Sequence, residues 1–324
     1  MTSASSAASG LPIDFPVAAE AFDQCDALLV RRIAELRKRL DRPVVVGLCG
    51  PQGSGKSTTA RRWAAGLAVA GFPTAVLSLD DFYFTRAERA GLSRDAHPLL
   101  ATRGVPGTHD VALARATIAR LLGASESSAV PLPSFDKTLD DRLPPSQWPR
   151  HQGRCDVVLL EGWCVGARPQ AQDALDPPLN ALERDEDPDG SWRRYVNARL
   201  AGEHQALFAG LDLRVLLRAD DFGRVLAWRA EQEAGLTRRA GQSLPAMDEA
   251  ALRRFIAHYE RITRWLMADE PADLVIDIDA GRRPVRLRLA RPAPRARSPE
   301  VESLSTPLIP AKAGTQVKPT ERSG

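Results

Sequence analysis

The stretch PVVVGLCGPQGSGKST, residues 43–58, holds Gly50, Gly55, Lys56 and Ser57 in the spacing G-x-x-x-x-G-K-[ST]. That spacing has a mechanical reason. A strand ends, successive backbone N–H groups wrap an anion, and a helix begins with the positive end of its dipole at the same place. Three glycines within residues 50–55 cost backbone entropy on ordering, so a turn that merely joined two elements would not use so many. Lys56 then reaches the β- and γ-phosphates of a nucleoside triphosphate, and the Ser57 hydroxyl ligates Mg²⁺. The whole loop is expected to bind the nucleotide: Gly50, Pro51, Gln52, Gly53, Ser54, Gly55, Lys56, Ser57 and Thr58.

Three acids follow at what read as strand ends. SLDDFYF (78–84) carries Asp80 and Asp81, and LLEGW (159–163) carries Glu161 behind an apolar run, as a Walker B position does. Phosphoryl transfer to an alcohol needs a base near the hydroxyl and carboxylates around Mg²⁺. One aspartate at a strand end is as well explained by helix capping; three acids beside one phosphate loop point to chemistry. Between them, Arg103, His109, Lys137 and Arg142 suit a compact carboxylate, whereas Phe82, Tyr83 and Phe135 would suit a stacked nucleoside.

Alternating elements must position these groups. Val44–Leu48, Thr74–Leu79, 155–162, 211–217 and 273–279 read as apolar strands. Helical patterns cover 17–40, Lys56–Ala70, about Asp110–Leu122, about 191–208 with Ser191 as N-cap, 220 to about 233, and a long helix carrying Leu252, Phe255, Ile256, Tyr259, Ile262 and Leu266. Strands apolar throughout, alternating with helices, predict a parallel sheet covered on both faces, with its ligand at the strands' carboxyl ends. The long segments 83–109, 131–154 and 165–190 are expected to build the site or its lid.

The chain of 324 residues is 44% hydrophobic and 26% charged, ordinary for a globular α/β protein. No run of about 18 apolar residues exists to span a membrane, and the Ser/Ala-rich start resembles neither a secretory signal nor a transit peptide. The cysteines form no C-x-x-C pair and read as reduced thiols of a cytoplasmic protein; Cys49, beside the phosphate loop, also raises the prospect of redox control. Residues 281–324 hold ten Lys/Arg against three Asp/Glu, which leaves an acidic body with no footprint for nucleic acid. The expected organisation is a flexible N-terminus (1–16), one domain (17–291) and a disordered basic tail (292–324).

The phosphate loop, LDDFY, TRGVPGTHD (102–110), PSFDKTLDDR (133–142) and LLEGW, in that order, resemble the plant-type D-glycerate 3-kinases, relatives of phosphoribulokinase, uridine kinase and pantothenate kinase. The resemblance covers roughly residues 40–280. It implies a P-loop NTPase fold with long substrate loops and a lid, and transfer of phosphoryl from ATP to a small hydroxylated substrate by a monomer or small homo-oligomer. On the group's pattern Asp80 is the general base, also placed near Mg²⁺, and Glu161 is a magnesium ligand. Arg229, with Arg224 beside it, matches the lid arginines. For D-glycerate, Arg103 is the expected carboxylate clamp, with Asp81, Tyr83, His109, Asp110, Asp136, Lys137 and Arg142 around the substrate. A kinase of another alcohol, a GTPase and a noncatalytic nucleotide-binding module are the rival readings; the GTPase lacks an N-K-x-D motif.

Overall fold

The computed structural model describes residues 14–16, 22–240 and 248–290. The tail from 292 onward and most of the N-terminal segment lie outside the described residues. In chain order the strands are β1 (Asp14–Pro16), β2 (Val44–Cys49), β3 (Thr74–Ser78), β4 (Ala129–Pro131), β5 (Phe135–Asp136), β6 (Asp141–Arg142), β7 (Arg150–Gln152), β8 (Val157–Gly162), β9 (Leu213–Arg218), β10 (Leu274–Ile278) and β11 (Pro284–Leu289). The helices are α1 (Phe22–Leu40), α2 (Lys56–Val69), α3 (Arg86–Asp95), α4 (Val111–Leu122), α5 (Ala181–Glu186), α6 (Ser191–Arg199), α7 (Gln205–Phe208), α8 (Phe222–Ala240) and α9 (Glu249–Asp269).

One sheet of seven strands runs in the order β1-β11-β10-β9-β2-β8-β3. The strands from β10 to β3 are parallel, as their uniformly apolar sequences require. Side chains alternate across it. Val45, Leu77, Leu160 and Leu216 pack with α4 and α9 on one face, while Val44, Val46, Leu159 and Val215 pack with α1 and α2 on the other. Helices therefore cover both faces and leave the carboxyl ends of the strands for the site.

The structure departs from the expectations in four places. β11 and β1 close one edge of the sheet antiparallel, because the turn Asp279–Arg283 is too short for the crossover that a parallel return needs. Residues 14–16 are consequently a strand and not part of a flexible end; three residues carry no periodicity to read. The helix from 191 is capped by Asp187, which accepts from the amides of Trp192 and Arg193, so Ser191 is not its N-cap. That helix also passes through a π-turn, Leu200–His204, before α7. Finally, 165–190 is a packed connection: Glu183 pairs with Arg261 of α9, and Asp187 with Arg193. Its charge serves docking onto helices, which composition alone does not distinguish from a site loop. Among the described residues no helix is long and apolar enough to cross a membrane.

Candidate active site

β2 carries the chain to the rim of the sheet, where it turns at once. Gly53 and Gly55 take φ of 76° and 88°, a left-handed conformation in which a side chain is strained. A Cβ on Gly50 would lie 2.7 Å from Ser54 Oγ, and one on Gly53 would lie 2.6 Å from Trp228 Cβ. The loop is therefore a surface of backbone. Gly55 stands at the N-cap of α2, which no side chain caps and whose first turn holds no acid. Thr85, Asp110 and Asp248 cap α3, α4 and α9. The leading amides of α2 are thus left for an anion, and the cradle fits a chain of phosphates. Ser54 Oγ and Gln52 Oε1 are buried there without a hydrogen-bond partner.

Ser57, in the first turn of α2, donates its hydroxyl hydrogen to Glu161 Oε1 at 2.6 Å. Glu161 is buried near the end of β8, and its Oε2 has no hydrogen-bond partner. A hydroxyl and a carboxylate with a spare oxygen, beside the cradle, form a hard donor set that fits Mg²⁺. Among the described residues no cluster of three or more His, Cys, Asp or Glu stands ready for a metal. A magnesium ion here would be completed by phosphate oxygens and water.

A single 3₁₀ turn, Leu79–Phe82, follows β3 and sends its two acids to different partners. Asp80 Oδ1 accepts the Tyr83 hydroxyl hydrogen at 2.8 Å, and Oδ2 accepts from Lys137 Nζ at 2.6 Å. Asp81 Oδ1 accepts the Phe135 amide at 3.1 Å. Burial alone would raise the Asp80 pKa, but the ammonium groups of Lys137 and Lys56 and the two donated bonds hold it well below the usual carboxylate range. Burial pushes the Asp81 carboxyl up to about 6, with the Asp80 charge adding to the effect.

The β5–β6 hairpin lies over these acids. Phe135 meets Tyr83 edge-on at 5.4 Å, and its face lies 5.5 Å from the Arg103 guanidinium and 5.9 Å from that of Arg89. Arg103 ion-pairs with Asp140, and its carbonyl accepts from the Tyr259 hydroxyl at 3.1 Å. Arg89, fully buried, donates to the carbonyls of Phe84, Ala101 and Asp140 and so staples the substrate loops together.

The structure therefore gathers Lys56, Ser57, Asp80, Asp81, Tyr83, Lys137 and Glu161 at one end of the sheet, with Arg103 beside them. Other candidates stand elsewhere or are engaged. His109 is fully buried and stacked behind Tyr83, ring centroids 4.7 Å apart, and is not open to a ligand. Asp110 caps α4 and accepts from Arg142, which also reaches Glu88. Asp136 turns back onto the amides of Thr138 and Leu139. Short polar side chains beside turns take the nearest backbone donors, a use that a motif does not reveal. Arg224 is paired with Asp220. Arg229 bonds Gln232 and lies 5.1 Å from the Phe255 ring, packed toward α9.

Sequence reasoning missed Asp140, Tyr259 and His204. His204 is delivered by the π-turn, and its Nε2 lies 3.3 Å from His109 Nδ1. Burial lowers the pKa of both rings, that of His204 to about 4, and keeps them neutral. Nothing in the pattern of 191–208 marks that turn.

No protein-family model matches the chain. It is similar to the uncharacterized kinase mug58 of Schizosaccharomyces pombe, with 33% identity over 225 residues that cover 67% of this chain and 79% of that one. It is also similar to the chloroplastic D-glycerate 3-kinase of Arabidopsis thaliana, with 29% identity over 75% of this chain and 54% of the relative, about half the relative's length. Among solved structures, a D-glycerate 3-kinase from Cryptococcus neoformans var. grubii superposes with a TM-score of 0.69 and 26% identity, over 83% of this chain and 98% of the other.

Proposed function

Because the chain belongs to the family of P-loop kinases that includes plant-type D-glycerate 3-kinase, we propose that it transfers the γ-phosphoryl group of ATP to a hydroxyl of D-glycerate, giving 3-phosphoglycerate. One observation carries the choice of acceptor. The aromatic faces beside Asp80 are already used, Tyr83 by His109 and Phe135 by Arg103 and Arg89. The charge around the acceptor is cationic: Lys137, exposed and paired with Asp80, and Arg103, paired with Asp140. That favours a compact carboxylate over a stacked base.

The 50–58 loop holds the triphosphate and Lys56 takes the β/γ charge. Ser57 and Glu161 are the residues that would hold Mg²⁺, with Asp80 nearby; when bound, the ion offsets the charge of the phosphates. The substrate carboxylate draws the exposed Lys137 away from Asp80 and meets Arg103. Freed of its ion pair, Asp80 Oδ2 accepts the hydroxyl proton as the substrate oxygen bonds to the γ-phosphorus and ADP departs. Tyr83 keeps the other Asp80 oxygen in place. The Arg229 side chain swings from the Phe255 ring over the transferred group. Residues 17–291, together with the edge strand at 14–16, form this kinase domain, the tail beyond them is dispensable, and free buried cysteines suit a reducing cytoplasm.

Incubation with ATP, Mg²⁺ and a panel of small alcohols, followed by identification of the product, tests the proposal. The expected result is 3-phosphoglycerate from D-glycerate. Turnover of a nucleoside or another neutral alcohol without turnover of D-glycerate would overturn it.

A further inference from the structure

The turn between β10 and β11 comes back to the phosphate loop. Arg282, in that turn, has a φ of 65°, a left-handed conformation that a residue with a side chain holds only at a cost. Its Nε–H donates to the Gly53 carbonyl at 2.6 Å, and its Nη2 donates to Glu231 Oε2, also at 2.6 Å. The guanidinium lies 5.7 Å from the Trp228 ring. Trp228 and Glu231 stand three residues apart on α8 and so share one face. Trp228 occupies the space that a Gly53 Cβ would need and donates its indole N–H to the Ala280 carbonyl at 2.8 Å.

Three segments far apart in sequence therefore meet at one glycine of the phosphate loop. A peptide unit is planar, so a Gly53 carbonyl held outward by Arg282 fixes the Ser54 N–H on the opposite side. That N–H bonds the Pro51 carbonyl at 3.2 Å and shapes the turn of the loop. Composition assigns Arg282 to a run of basic residues leading into the tail, and no motif includes it.

We propose that Arg282 is a positioning residue for ATP: it sets the phosphate loop through the Gly53 carbonyl and ties that loop to helix α8 through Glu231. This rests on the reading of residues 50–58 as the ATP site, and not on the identity of the acceptor. R282G removes the side chain while relieving the left-handed backbone, so it separates positioning from folding. R282M is the second variant, which leaves the backbone as it is. Titration calorimetry with ATP and Mg²⁺ should show each variant binding ATP about tenfold more weakly, the worth of one or two lost hydrogen bonds from a charged group. The Michaelis constant for whichever acceptor the wild-type enzyme phosphorylates should stay where it was, a split that general loss of structure would not produce. Binding within twofold of wild type, in a variant whose thermal melt shows it folded, overturns the proposal. A wild-type protein that binds no ATP refutes the loop assignment instead.

Discussion

Asp80→Asn separates catalysis from stability more cleanly than any other change in the site. The carboxylate accepts from Tyr83 on one oxygen and from Lys137 on the other. An asparagine keeps one acceptor and turns an NH₂ toward the second donor, so one of the two bonds is lost. If the lost bond is the one to Lys137, whose side chain is 60% exposed, solvent screens it and the cost is below about 1 kcal/mol. Removing a half-buried charge offsets part of that. The catalytic loss is larger, because no proton acceptor remains for the hydroxyl: kcat should fall about 10²–10⁴-fold, or about 3–5 kcal/mol of barrier. The assay is ADP release at saturating ATP and D-glycerate, beside a urea unfolding curve. A kcat within tenfold of wild type at an unchanged unfolding midpoint would refute the assignment. Asp81, whose carboxyl is pushed up to about 6, is the other base the geometry offers. If Asp81→Asn proves the more damaging change, the roles are exchanged.

Lys56→Ala should abolish turnover with the fold intact, since Lys56 is the one cation within residues 50–58; a variant that stays active would remove the loop from the mechanism. Gly53→Ala should weaken ATP binding more than tenfold, because its Cβ would stand 2.6 Å from Trp228 Cβ at a φ of 76°; nucleotide titration reads this directly, and wild-type affinity counts against it. Arg103→Met should raise the Michaelis constant for D-glycerate strongly and leave that for ATP nearly unchanged, and equal effects on both would show that Arg103 only braces its loop against Asp140. Stability should fall as the pH drops from 6.5 toward 4, by about 1.4 kcal/mol per unit for each of the buried histidines His109 and His204, because the unfolded chain binds protons that these rings refuse. Asp81, protonated in the fold below about 6, offsets one of the two below that pH; a urea midpoint no lower at pH 5 than at pH 7 would show that the rings are charged in the fold.

The phosphate loop was legible because its geometry is local: glycines at fixed offsets, a strand before and a helix after. The parallel strands were legible because burial on both faces leaves them apolar throughout. Asp80, Asp81 and Glu161 could be placed at strand ends for the same reason. Their partners could not. Lys137 reaches Asp80 across 57 positions, His204 reaches His109 across 95, and Arg282 reaches Gly53 across 229. Asp110 and Asp136 look like ligands in a motif and are spent on a helix cap and a turn. The anion cradle, the sheet that presents it and the acids beside it follow from the backbone geometry and burial of consecutive residues. Which cation meets which acid is set only once the chain has folded. Those pairings depend on how separate loops pack over the sheet, and charged side chains carry no periodicity that reports it.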